Sequence, residues 1–194
     1  MDQNSLDNNN KELLQKRHYF ILEKLQLISK EAPIGLKSRI SNELLSSLAV
    51  SLLDGTVFEI VNHLFEMQQI SERNFFNERS KINNEYSNQR NQLLKRHKTT
   101  EKACEIRPHH LNIVQSANKR ELDAFDKRMT NELHRLDVKI IQDFDNKVLE
   151  QQETMNQAGV PNFFVTQNPN DIKMQMFLLK MIQKLSEIKM PEFS

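Results

Sequence analysis

Residues 56–107 contain neither glycine nor proline, a run of 52, and residues 109–158 contain neither over another 50. Only Pro108 separates the two runs. A sheet fold is excluded, because strands are short and the turns between them draw on Gly and Pro. A helix has no such need. At 1.5 Å per residue each run makes a rod roughly 70 Å long. The whole chain of 194 residues holds three Gly and five Pro, where average usage would give about 14 and about 10. The expected fold class is all-α: a long antiparallel coiled-coil hairpin with a small helical head formed by the N-terminal and C-terminal helices.

The hydrophobic share is 38%, below the roughly 45–50% of a typical globule. Rods, with their high surface-to-volume ratio, run low in this way. Disorder is disfavoured, because the apolar residues are regularly spaced and the net charge is only +1. The same small charge argues against strong attraction of the whole molecule to nucleic acid. Cys104 is the single cysteine, so no intramolecular disulfide forms and a reducing compartment is expected. Residues 1–10 lack the basic and apolar regions of a secretory signal. No apolar run approaches the ~18 residues of a membrane span. The expected location is the nucleus, the cytoplasm or both, neither secreted nor transmembrane.

The few breakers divide the chain. Residues 1–9 read as a disordered polar N-terminus. Residues 10–54 hold two head helices. The first, about 10–31, carries the stripe Leu14, His18, Ile21, Leu25, Ile28 and stops at Pro33 and Gly35. The second, about 38–53, carries Ile40, Leu44, Leu48 and Leu52 and stops at Asp54-Gly55. Residues 55–158 form the hairpin, with its turn near 104–109. Thr56 and Glu59 have capping-box spacing at its start. Residues 159–194 are a loop and a C-terminal head helix. There Asn168 is expected as the cap, with Pro169 at the first helical position.

If the arms fold back at Pro108, the numbers of facing residues sum to a constant. A sum of 215 gives ten layers, from Ile60–Met155 through Phe75–Ile140 and Gln89–Asp126 to Leu93–Leu122. Fifteen of these twenty positions are apolar. Gln89–Asp126 is the layer that is polar on both sides, and a hydrogen bond between them is expected. The triple four in the spacing is a stutter, which locally unwinds a coiled coil. A second apolar ridge lies off this seam: Phe65 and Phe76 on one arm, Val138, Ile141 and Leu149 on the other. Either the short helices or a second chain must cover it, so a homo-oligomer is one candidate state.

No catalytic constellation is present, and an enzyme is not expected. Neither a phosphate-binding glycine loop nor a cofactor motif occurs. His97, Cys104, His109 and His110 gather near the turn, but their spacing matches no zinc motif. They read as polar turn residues, with metal none and cofactors none. The Met-rich last helix (Met174, Met176, Met181, Met190) reads as head core ahead of an adaptable binding face. Charge is uneven along the hairpin: residues 90–107 net +4, residues 137–153 net −3. Lys95, Arg96, Lys98 and Arg107 form the candidate basic contact patch.

Ten consecutive residues, Leu52-Leu53-Asp54-Gly55-Thr56-Val57-Phe58-Glu59-Ile60-Val61, carry a family resemblance. It continues through Gln151-Gln152, Ala158-Gly159-Val160, Phe164-Val165-Thr166, Asn168-Pro169 and the apolar run of the last helix. Over about residues 17–186 the chain resembles the gonadal protein family, which extends from insects to the vertebrate DiGeorge syndrome critical region. That resemblance implies a non-enzymatic coiled-coil protein tied to development, gonadal in insects, linked to neural crest migration and largely nuclear in vertebrates. It brings no catalytic residues and no cofactor. The expected function is a scaffold or adaptor acting through protein partners. The alternative is a nuclear protein that contacts nucleic acid or acidic partners through the basic turn.

Overall fold

The computed structural model describes residues 3–104 and 108–191. The centre of the expected turn lies outside these residues, and so does Arg107. Among the described residues there are six helices and no strand: α1 (Gln3–Ser29), α2 (Ile34–Lys37), α3 (Asn42–Ser51), α4 (Thr56–Ala103), α5 (Pro108–Gln157) and α6 (Pro169–Ser186). The all-α reading holds, as does the pair of very long helices. Two details are corrected. Helix α1 begins at Gln3, so residues 3–9, expected to be disordered, are helical. Their Asn-rich sequence offers no apolar stripe for a periodicity argument to detect. Helix α3 begins at Asn42, not 38, because Ser41 caps it: its hydroxyl oxygen accepts from the Leu44 N–H at 3.1 Å.

The helix ends follow local rules. Asp54 Oδ1 accepts from the Thr56 N–H at 3.1 Å. The cap of α4 is thus supplied two residues before Thr56, ahead of the expected Thr56–Glu59 box. Gly55 follows Asp54 at φ +90°, a conformation in which a side chain would be strained. Just past the C-terminus of α5, Gly159 has φ +71°. Its N–H donates to the Asn156 carbonyl at 3.0 Å, and the Val160 N–H reaches back to Met155 at 3.1 Å. These two bonds make a Schellman stop, with buried Val160 and Met155 as its hydrophobic contact. Asn168 caps α6 as expected, accepting from the Asn170 N–H at 3.0 Å with Pro169 at the first helical position.

The chain forms two compact units. The first joins Met1–Gln68 to Asn146–Ser194. Its core gathers Ile21, Leu25 and Ile28 of α1 with Leu45, Leu48 and Leu52 from α3 and its C-cap. Val57 and Val61 open α4 against them, Met155 closes α5, and α6 contributes Met174, Leu178, Met181, Ile182 and Leu185. Leu14, expected in the α1 stripe, is exposed. Of the expected line Ile40, Leu44, Leu48 and Leu52, the last two are fully buried and the first two only half-buried, with Leu45 and Ala49 joining the buried face of α3. Met174 and Met181 are core, as read from the sequence, whereas Met176 is exposed. Two ion pairs add to the packing: Arg39 to Asp171 at 2.6 Å, and Lys184 to Glu31.

Residues 160–168, between α5 and α6, are held by two buried glutamines. Gln152 Nε2 donates to the Thr166 carbonyl at 3.1 Å, and Gln152 Oε1 accepts from the Thr166 N–H at 3.0 Å. Gln175 Nε2 donates to the carbonyls of Asn162 and Phe164. Backbone groups of a non-helical segment must find partners when packed on a core, and here side-chain amides provide them.

The second unit, Gln69–Asp145, is an antiparallel pairing of α4 with α5. Its least exposed α5 positions are Leu111, Val114, Asn118, Leu122, Phe125, Met129, Leu133, Leu136, Ile140 and Phe144, with Asp126, Asp137 and Asp143 beside them. The spacing is 3-4-4-3-4-4-3-4-4, an eleven-residue repeat with a period near 3.67. Helix α4 repeats it through Ser71, Phe75, Ile82, Tyr86, Leu93, His97 and Glu101, and Cys104 just past its end continues it. Arg79 and Arg90 occupy the two places between. Such a repeat lacks the left-handed drift of a strict heptad. The expected stripe largely holds: Ser71, Phe75, Ile82, Tyr86 and Leu93 on α4 and Phe144, Ile140, Leu133, Met129 and Leu122 on α5 are among the least exposed positions, and they pair at the expected sum of 215. Long side chains reach past these layers, so contacts such as Arg79–Asp137, Tyr86–Glu132 and Phe75–Phe144 sum to 216–219. The expected Gln89–Asp126 layer is not formed: Gln89 donates to Glu85, Asp126 accepts from Arg90, and Phe125 is the buried residue at that level.

Candidate protein-docking surface

The second unit carries the apolar ridge read from the sequence. Phe76 is 71% exposed and Ile141 60%, with Val138 beside them also exposed. The other members of that ridge, Phe65 and Leu149, belong to the first unit and are half-buried; Phe65 packs on its core. The exposed part is therefore confined to one stretch of the second unit. Phe76 and Ile141 border an open groove of about 500 Å³, floored by Phe75, Ile140 and Phe144. Phe75 meets Phe144 edge-to-face, with ring centroids 5.1 Å apart. The groove ends at Arg79, whose guanidinium holds Asp137 through Nε at 2.8 Å and Nη2 at 3.2 Å. That hydrogen bond, reinforced by the guanidinium charge, keeps the Asp137 carboxyl below its usual range. A large exposed apolar patch rimmed by charges is the physical form of a contact surface.

The basic patch looks different from its sequence reading. Lys95 and Lys98 are exposed on α4. Arg96 is not a spare cation: it pairs with Glu121 of α5. Glu121 also lies 2.9 Å from Nε2 of His97, which is only 6% exposed. The hydrogen bonds from His97 and then Arg96 hold the Glu121 carboxyl below its ordinary value. His97 is thus a seam residue of the hairpin, not a turn residue. His109 and His110 are exposed and Cys104 is half-buried. Among the described residues no three His, Cys, Asp or Glu side chains converge as a metal site.

Sequence reasoning missed several groups that the structure brings together. Tyr86 donates its hydroxyl proton to Glu132 across the hairpin. Burial first, and then this bond, push the phenol up to about 12. Arg90 holds Asp126 through Nε at 2.9 Å and Nη2 at 3.1 Å. The guanidinium of Arg128 lies over the Phe125 ring, 5.5 Å from its centroid. The available signal was the eleven-residue spacing from Arg79 to Arg90, matched by the same spacing from Asp126 to Asp137. No described helix is by itself long and apolar enough to cross a membrane.

Known proteins extend this picture. No solved structure matches the chain. Protein DGCR6 of Gallus gallus is 41% identical over 173 residues, covering 89% of this chain and 86% of its own. Gonadal protein gdl of Drosophila melanogaster is 38% identical over 178 residues, covering 92% and 84%. The family model described as DiGeorge syndrome critical region 6 (DGCR6) protein matches residues 2–192. With nearly its whole length matched, the chain belongs to the DGCR6 protein family.

Proposed function

We propose that this protein is a non-enzymatic scaffold or adaptor that acts through protein–protein contact, in a developmental setting, in the nucleus or the cytoplasm. One observation supports the reading most strongly: the ridge of Phe76, Val138 and Ile141 stands in solvent over a groove with an aromatic floor. An apolar surface of this kind is costly to leave wet and is productive when covered. Either a second copy or another protein would serve as cover. The names of the relatives place them in gonadal and DiGeorge-region biology, which motivates the developmental setting.

The test compares the full chain with its Phe76→Ser, Ile141→Ser variant. Size-exclusion with light scattering reads self-association, and affinity capture from embryonic or gonadal extract reads partners. Loss of an oligomer, or of a reproducible set of captured proteins, supports the reading. A monomer whose capture profile is unchanged by the variant overturns it.

A further inference from the structure

On α5, N-terminal to the ridge residues Val138 and Ile141, Lys127, Arg128 and Arg135 line an open groove of about 320 Å³. Through shared Ala124 and Arg128 it continues into a second groove of about 520 Å³, which crosses to Arg96 on α4. Two carboxylates stand in the walls, and both are already engaged. Glu132 accepts from the Tyr86 hydroxyl, and Glu121 is shared by Arg96 and His97. The cations of α5 are in the opposite condition. Among the described residues no carboxylate pairs with Lys127, Arg128 or Arg135. A concave wall with engaged negative and unpaired positive charge selects an anionic partner.

The spacing says what kind of anion. Lys127, Asn131 and Arg135 stand four residues apart, about 6 Å along the helix axis at each step. Carboxylates at the same spacing on a second helix would meet them in register. Ala124 leaves a gap beside Phe125 that an apolar side chain of the partner can fill. A single-stranded nucleic acid would find no free aromatic face for base stacking, since Phe125 is buried beneath Arg128.

We propose that this composite groove docks an acidic amphipathic helix of a partner protein, with Lys127, Arg128 and Arg135 meeting its carboxylates and Ala124 receiving an apolar side chain. The inference rests on the adaptor reading but uses residues other than those of the apolar ridge. Its test uses the full chain and a labelled helical peptide of Glu, Ala and Leu, with Glu at every fourth position, followed by fluorescence anisotropy. Binding should weaken by about tenfold or more in Lys127→Glu, Arg135→Glu, and also in Ala124→Leu. It should survive Lys95→Glu, Lys98→Glu. Circular dichroism checks the fold, and Lys127→Ala, Arg135→Ala replaces the charge reversal if that variant unfolds. The proposal is overturned by no binding, by equal binding of a peptide with Gln for Glu, by equal loss in the Lys95, Lys98 variant, or by tighter binding of duplex DNA at the same salt. The Phe76→Ser, Ile141→Ser chain separates the two surfaces: the peptide should bind it normally. If the peptide fails while ridge-dependent capture persists, the groove is wrong and the adaptor reading stands.

Discussion

Arg79 grips Asp137 through two nitrogens, and eleven residues further along α4 Arg90 grips Asp126 in the same way. Each pair spans the hairpin, and each aspartate is held below the ordinary carboxylate range, first by the hydrogen bond from its guanidinium. A carboxyl group whose folded pKa is depressed contributes stability that is fully present above its unfolded pKa, about 4. That stability is lost as pH falls through the lower folded value. We expect thermal unfolding, followed by ellipticity, to shift little from neutral pH down to about pH 5 and to fall below about pH 4. In Asp126→Asn, Asp137→Asn the neutral-pH midpoint should drop and the acid limb should flatten. An unchanged acid limb would show that the two pairs carry no stability.

Tyr86 makes the opposite case at high pH. Its raised phenol pKa means stability fully present below the unfolded value, about 10, and lost as pH rises through about 12. The chain has two tyrosines, so Tyr19→Phe isolates the signal. Tyrosinate absorbance should then titrate late, and Glu132→Gln should bring the midpoint down. A midpoint that ignores residue 132 would sink the contact.

Phe75 and Phe76 are sequence neighbours with opposite fates. Phe75 is half-buried against Phe144, whereas Phe76 is 71% exposed. Phe75→Ala should cost about 1–3 kcal/mol, a fraction of the value for a fully buried ring. Phe76→Ser should change stability by about 0.5 kcal/mol or less. Urea unfolding of both variants checks the pair. Similar costs would mean that the ridge is covered.

Gln152, only 2% exposed, serves both the N–H and the C=O of Thr166. Gln152→Leu leaves two backbone groups without their partner, at about 1–3 kcal/mol for each one that stays buried. Gln152→Glu keeps an acceptor and loses the donor, so it should fall between. Hydrogen exchange at the Thr166 N–H should quicken in Gln152→Leu and much less in Gln152→Glu, which keeps its acceptor. Unaltered exchange would mean that the loop is held by something else.

The number of helices in the long pair, their ends and their antiparallel return were legible in the residues themselves. These features rest on interactions a few residues long. A positive φ at Gly55 and Gly159 suits glycine, Asn168 reaches an N–H two residues on, and an uninterrupted run of helix formers has no local reason to stop. Pattern also identified Phe76 and Ile141 as a second apolar line off the seam.

Tertiary structure decided the rest, because burial belongs to two surfaces and not to one stripe. Periods of 3.5 and 3.67 differ by a fraction of a residue per turn, and both fit the apolar positions of α4 and α5 over short lengths. The difference was settled by residues that a hydrophobic count treats as noise. Arg79 and Arg90 sit in the repeat because aspartates face them, and His97 is buried because Glu121 meets it. Charged and polar side chains enter a seam only when a partner arrives from the other helix, and no single stretch of sequence names that partner. The same reason hid the grip of Gln152 on Thr166, and it hid the groove where Lys127, Arg128 and Arg135 are left without a carboxylate.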